Sequence, residues 1–164
     1  MSAWIFPTTA DVGLRTFGRD LSSLFIEAAQ GMQQYLSSQK GFEEAERSVR
    51  HYGQWEVKWS HQPLDHSMLF ITWLEEVLYR CEVHNQWFME GMAKVEEVED
   101  GLRFIAQVTW CDADVVEREV EIKAVTTHEL LVSFVQPGDV VTSQWPDVPE
   151  FQGPGWYADV VFDI

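Results

Sequence analysis

Apolar residues recur at helical spacing in two segments of the chain. The first segment covers residues 21–36, and Asp20 directly before it is a suitable N-cap. The second covers residues 64–83, where Glu76 and Arg80 have the spacing and order of a helix-surface ion pair. Each segment has one apolar stripe. The pattern therefore predicts two amphipathic helices, each covering one side of a sheet.

Alternation of apolar and polar residues predicts strands in the rest of the chain. The predicted extended segments are 4–17 with a break at Pro7, 48–59, 86–98, 102–111, 120–135 and 157–163. Residues 99–101 (Glu-Asp-Gly) have the composition of a hairpin turn with glycine at a left-handed position. The polar stretch 37–46 predicts a loop or a helix end, and the proline-rich segment 136–155 predicts a long loop.

The order of these elements predicts the fold class. The strands cluster after the second helix and do not alternate strictly with helices, which favours an α+β fold with a mixed or antiparallel sheet. A chain of 164 residues is long enough for one domain with a real core, and we expect a single domain over residues 1–164. Eight Trp, ten Phe and four Tyr argue against disorder.

The charge balance narrows the possible functions. Eleven Lys and Arg against 27 Asp and Glu give a formal net charge of −16. Such a surface repels phosphate backbones, so we expect no tight direct binding of nucleic acid, and it suits a cation or a basic partner protein. Cys81 and Cys111 belong to no paired motif, and the first residues do not resemble a signal peptide. We therefore expect a cytoplasmic protein with reduced thiols and no membrane contact.

Carboxylates gather at the two extremities of the chain. In the last predicted strand, Asp163 lies on the face opposite the apolar set, and Ile164 contributes the main-chain carboxylate, while its apolar side chain is expected to anchor the chain end. Adjacent carboxylates repel one another unless a cation or water intervenes, and their oxygens suit Ca²⁺, Mg²⁺ or Mn²⁺. The alternative is a hydrated chain end. Asp11 is a turn or cap residue unless the first and last strands are neighbours.

Lys123 is the only basic residue among the candidate site residues. It is expected to share a strand face with Glu119 and Glu121, which allows weak surface ion pairing or a fixed ammonium that binds a phosphate or carboxylate. The sequence contains no G-x-S-x-G, P-loop, G-x-G-x-x-G or H-E-x-x-H motif. A metal-dependent phosphohydrolase or nucleotidyl-transfer enzyme remains an alternative, because carboxylates and one lysine can hold metal and phosphate together.

Four blocks of the sequence resemble one known family. Residues 9–32 resemble the opening of archease, residues 73–79 (WLEEVLY) its second-helix motif, residues 122–132 its KAVT strand, and residues 156–164 its terminal strand ending in Asp-Ile. The four blocks occur in family order and span most of the chain. The resemblance implies an α+β fold built around a strand-helix-strand-strand module.

The same resemblance implies a function. Archeases are accessory proteins, not enzymes, that promote guanylylation and multiple turnover of the RtcB-type RNA ligase in tRNA splicing. Carried over by motif, Asp11, Asp163 and the Ile164 carboxylate would hold a divalent metal ion, and Lys123 would support activity. The sequence departs from the family pattern at Thr8, where the family usually has histidine, in residues 110–114, and in the longer segment 136–155.

Overall fold

The computed structural model describes residues 2–9 and 11–164, and within them it has three α-helices and nine strands. Ala10, inside the predicted extended segment 4–17, lies outside the described residues. The helices are α1 (Leu21–Leu36), α2 (Gln39–Arg47) and α3 (His66–Val83). The strands are β1 (Ala3–Pro7), β2 (Val12–Gly18), β3 (His51–Trp59), β4 (Gln86–Val98), β5 (Gly101–Asp112), β6 (Ala124–Val135), β7 (Val140–Val141), β8 (Phe151–Gln152) and β9 (Gly155–Asp163).

The strands form two main sheets and a small ribbon. The four-stranded sheet has the order β1-β2-β9-β6, the three-stranded sheet has the order β3-β5-β4, and β7 pairs with β8. Every pairing is antiparallel. The predicted α+β class is therefore confirmed, with an antiparallel arrangement divided between two sheets.

The two long helices pack against both main sheets. Helix α1 begins after Asp20, whose side chain accepts a hydrogen bond from the Ser23 amide, as predicted. It contacts β2 of one sheet and β4 of the other, and α3 contacts β6 and β3 in the same way. The expectation that each helix covers one side of one sheet is therefore wrong. An apolar stripe shows that a helix is buried on one side, but it does not show how many sheets lie against that side. The Glu76–Arg80 ion pair on α3 forms as predicted, at 2.8 Å.

The centre of the core is aromatic. The Phe25 ring of α1 packs against Phe70 and Phe104, with ring centroids 5.2 and 5.1 Å away. The Trp73 ring of α3 lies 4.6 Å from Phe104, and its indole N–H donates to the Phe25 carbonyl at 2.9 Å. This hydrogen bond satisfies a polar atom that burial would otherwise make costly.

Residues 39–47, predicted as a loop or helix end, form the helix α2. The Ser38 hydroxyl caps it by accepting from the Gly41 amide at 2.9 Å. A Cβ at Gly41 would lie 2.1 Å from the Glu117 carbonyl oxygen, so glycine permits this close approach. A polar helix of this length is stabilised by its cap and tertiary contacts, which hydrophobic periodicity does not reveal.

Residues 99–101 join β4 to β5 as predicted, but two details of the predicted turn and strands are wrong. Gly101 does not adopt a positive φ; a Cβ there would meet the Trp59 carbonyl oxygen at 2.0 Å, so glycine is needed for close approach. The predicted strand 120–135 begins only at Ala124. The preceding residues cross the end of α1, where the Glu119 amide donates to the Leu36 carbonyl at 3.0 Å.

The proline-rich segment 136–155 covers the outer face of the four-stranded sheet. Its Trp145 ring stacks on Phe6 with centroids 4.2 Å apart, and its Phe151 ring stacks on Phe17 with centroids 4.5 Å apart. Val148 of the same segment is buried. The predicted long loop thus carries the short β7–β8 ribbon and forms a second, smaller apolar cluster on the side of the sheet away from the helices.

Within the described residues, none of the helices combines the length and hydropathy needed to cross a bilayer.

We expect Phe104→Ala to lower the free energy of unfolding by about 3–5 kcal/mol, because the fully buried ring leaves a cavity between the helices and the three-stranded sheet. Chemical denaturation monitored by tryptophan fluorescence measures this change. Val49→Ala is the control, since Val49 is 76% exposed and its truncation should change stability by less than about 0.5 kcal/mol. Equal effects of the two substitutions would contradict this assignment of the core.

Candidate metal centre

The pairing of β2 with β9 brings the two ends of the chain together. Val12 is opposite Phe162 in the antiparallel register. Asp11 precedes Val12 and Asp163 follows Phe162, so one further step of the same register would bring the two aspartates opposite each other, and Asp11 itself lies in the bend before β2. Asp163 is also paired on its other side, with Ala124 of β6. The end of β9 therefore lies between the beginnings of β2 and β6.

The side chains at this edge differ in burial. Phe162 is fully buried toward the helices, and Asp163 is exposed, as the alternation in β9 predicts. Asp11 is half-buried just before β2. Ile164 is 40% exposed, so its side chain is not anchored in the core as expected. The last residue follows the end of β9 and has no strand partner to hold its side chain inward.

Lys123 holds the chain end through two hydrogen bonds. Its backbone amide donates to the Asp163 carbonyl at 2.7 Å. Its ammonium Nζ donates to a main-chain oxygen of Ile164 at 3.4 Å. The expected strand face shared with Glu119 and Glu121 is wrong, because Lys123 precedes β6 and those residues cross the end of α1. A cation thus already contacts the terminal carboxylate.

Thr8 supports the position of Asp11. The Thr8 hydroxyl accepts a hydrogen bond from the Asp11 amide at 3.1 Å, which closes the turn between β1 and β2. The family that the sequence resembles usually has a histidine at this position. A threonine there can fix the backbone of the turn, but its single hydroxyl is a poorer metal ligand than an imidazole.

The chemistry of this edge suits a hard divalent cation. Two aspartate carboxylates and a terminal carboxylate offer oxygen ligands alone, and Asp163 and Ile164 are adjacent in the chain. Within residues 2–9 and 11–164 there is no group of three or more His, Cys, Asp or Glu side chains placed to hold a metal. A site here would instead combine two side chains with the main-chain terminus.

An ion pair that the sequence analysis missed lies on the same outer face. Arg15 of β2 is opposite Asp159 of β9, and its Nε and Nη2 donate to the two carboxylate oxygens at 2.8 and 2.7 Å. Both side chains are largely buried, with 9% and 14% of their surfaces exposed. The carboxylate of Asp159 raises the pKa of Arg15, so the guanidinium is charged at every relevant pH.

The segment 136–155 encloses this ion pair. Arg15 Nη1 donates to the Thr142 carbonyl at 3.1 Å, and the guanidinium carbon lies 5.3 Å from the Trp145 ring centroid and 5.5 Å from that of Tyr157. The available sequence signal was one arginine in β2 and two aspartates in β9, with no other charged residue in either strand. That signal becomes specific only when the two strands are known to pair.

The two thiols are buried in the core. Cys81 and Cys111 are 4% and 0% exposed, and neither forms a disulfide. Burial raises the pKa of the Cys111 thiol to about 11, and it also raises the pKa of Cys81. Both cysteines are therefore protonated and poorly nucleophilic at neutral pH.

The architecture defines an acidic α+β protein in which the second strand pairs with the last, so that Asp11 directly precedes one of these strands and Asp163 ends the other. The family model described as Archease protein family (MTH1598/TM1083) matches residues 4–164. The chain therefore belongs to the archease family.

Relatives and a solved structure agree with this membership. The chain is 29% identical to protein archease of Methanothermobacter thermautotrophicus over 75% of this chain and 82% of that protein. It is 26% identical to protein archease of Thermococcus gammatolerans over 85% and 94% of the two chains. The solution structure of Methanobacterium thermoautotrophicum protein 1598 has the same fold, with a TM-score of 0.65 and 21% identity over 99% of both chains.

We expect Asp159→Ala to destabilise the protein by about 3 kcal/mol or more, because it leaves the Arg15 charge buried without its partner. The double substitution Arg15→Met and Asp159→Leu should recover most of that loss, since it removes both charges. The measurement is denaturant unfolding of the three proteins.

Glu76→Ala is the matched control for this ion pair. It breaks an equally short ion pair on α3 whose side chains are each 26% exposed, and we expect a loss of about 0.5 kcal/mol. If Asp159→Ala lowers the free energy of unfolding no more than Glu76→Ala does, burial does not increase the contribution of the Arg15–Asp159 pair to stability.

Proposed function

We propose that this protein is a metal-binding activator of an RtcB-type RNA ligase, promoting ligase guanylylation and multiple turnover in tRNA splicing or RNA repair. Membership of the archease family supports the proposal. The observation that supports it is the β2–β9 register, which ends with Val12 opposite Phe162, one residue from Asp11 and one residue from Asp163. In this proposal the protein is an accessory factor and not the catalyst.

Asp11, Asp163 and the Ile164 carboxylate would hold the ion, with calcium, magnesium or manganese as candidates. A bound divalent cation would supply positive charge that offsets the repulsion between these carboxylates. The Thr8 hydroxyl fixes the turn that carries Asp11. Lys123 positions the terminal carboxylate through its contact with Ile164. The chain's own residues thus bind and orient, and none is assigned a bond-making role.

The proposed partner follows from charge. A protein with net charge −16 is repelled by bare RNA, whereas a basic surface of a ligase attracts it. The proposed complex is therefore between two proteins, with the RNA handled by the ligase. A cytoplasmic location is part of the same proposal.

Extending the chain after Ile164 by one glycine should weaken metal binding at least about tenfold, because the terminal carboxylate becomes a neutral amide. A tag before Met1 should have little effect, since Asp11 lies well inside the chain. Isothermal titration with Ca²⁺ and Mn²⁺ measures both variants. Equal affinities of the extended and tagged proteins would show that the Ile164 carboxylate is not a ligand.

Adding the protein to an RtcB-type ligase with GTP and metal should increase ligase-guanylate formation and the number of turnovers. Asp163→Asn should abolish most of this stimulation, because the exposed carboxylate is removed without disturbing Phe162 beneath it. The control is Asp100→Asn, an exposed aspartate in the turn between β4 and β5. Both variants should keep the wild-type melting temperature.

Two outcomes would reject the functional proposal. Absence of any stimulation by the wild-type protein would remove the activator role. Phosphate release from nucleotides by the protein alone, abolished in Asp163→Asn, would establish the alternative of a phosphohydrolase.

A further inference from the structure

The three-stranded sheet has an outward surface that no other described element covers. We define this open face as the outward side chains of residues 52–58 in β3, 90–96 in β4 and 103–109 in β5. At its middle, Gln107 of the central strand is opposite Gln54 on one side and Met92 on the other. Gln107 Nε2 donates to Gln54 Oε1 at 2.9 Å, so these polar atoms are satisfied within the face.

The open face exposes large apolar groups. Tyr52 and Met92 are each 82% exposed, the highest values among the large hydrophobic residues of the described chain. The outer face of the other main sheet is covered by segment 136–155, which stacks on it through Trp145 and Phe151. The two sheets thus differ, because another segment covers the outer face of the four-stranded sheet and leaves Tyr52 and Met92 of the three-stranded sheet exposed.

The charge of the open face is unlike that of the whole protein. It carries three basic and three acidic side chains: Lys58, Lys94, Arg103, Glu56, Glu90 and Glu96. Most are paired within the face: Lys94 lies 3.2 Å from Glu96, and Arg103 contacts both Glu96 and Glu56. The face is therefore neutral, and the net charge of −16 is distributed over the rest of the surface.

We propose that the open face binds a second copy of this chain, so that two three-stranded sheets pack face to face. Two proteins of like charge repel each other least where their surfaces are neutral. A face with both signs of charge can also pair with itself across a twofold axis. A basic partner, in contrast, is attracted to the acidic remainder of the protein, and the open face offers it no charge complementarity.

The size of the open face sets the strength of the dimer. Three strands about 4.8 Å apart and four rows of outward side chains about 6.7 Å apart cover roughly 400 Å². Two copies would therefore bury roughly 800 Å², about half of a standard stable interface. The dimer is weak, and it forms at high protein concentration.

Sedimentation velocity over a concentration series tests the proposal with the full chain. The mass should rise from 19.0 kDa toward twice that value, and high ionic strength should strengthen association because salt screens the repulsion between the acidic surfaces. Met92→Asp should weaken association at least about tenfold, since it places new like charges in the interface. The matched control is Val83→Asp at the end of α3, which adds the same charge at a residue 60% exposed but outside the open face.

Methyl NMR of the wild-type protein provides a second measurement that needs no substitution. The Met92 methyl signal should shift with protein concentration, whereas that of the fully buried Met32 should not. Monomer at every concentration and ionic strength would overturn the proposal. Equal weakening by Met92→Asp and Val83→Asp would overturn it as well, since association would then depend on total charge and not on this face.

Discussion

The antiparallel pairing of β2 with β9 is the constraint on which the rest of this protein depends. It joins the first and last parts of the chain, and its register determines which side chains become neighbours. A slip of one residue would move every side chain of β9 to the opposite face of the sheet. Phe162 would then leave the core, and Asp159 would no longer face Arg15. Core packing and the candidate metal centre therefore depend on the same alignment.

The buried ion pair on the outer face adds specificity to that alignment. Arg15 and Asp159 satisfy each other only in this register, and an offset would leave a charge buried without a partner. Segment 136–155 then encloses the pair through Thr142 and Trp145. A segment that a simple alternation pattern treats as a loop thus becomes the cover of a second apolar cluster. The fold tolerates a buried charge pair because each of the three guanidinium nitrogens of Arg15 donates a hydrogen bond.

The strong negative charge is distributed unevenly, and this distribution relates the two proposals. At the end of β9, Asp163 is adjacent to the terminal carboxylate, and the ammonium of Lys123 contacts a main-chain oxygen of Ile164. A site of this kind favours a cation. On the three-stranded sheet, acidic and basic side chains are paired and the face is neutral. The edge with unbalanced charge suits a metal ion and a basic partner, and the neutral face suits another copy of the same acidic protein.

Several elements of the fold can be predicted from local patterns in the sequence. Helix α1 with its Asp20 cap, helix α3 with its Glu76–Arg80 pair, most strands and the outward position of Asp163 follow from periodicity and spacing of neighbouring residues. Other features could be seen only in the folded protein: the division into two sheets, the capped polar helix α2 and the partner of Arg15. These features arise from contacts between residues far apart in the chain, and a local pattern carries no information about which strands will meet.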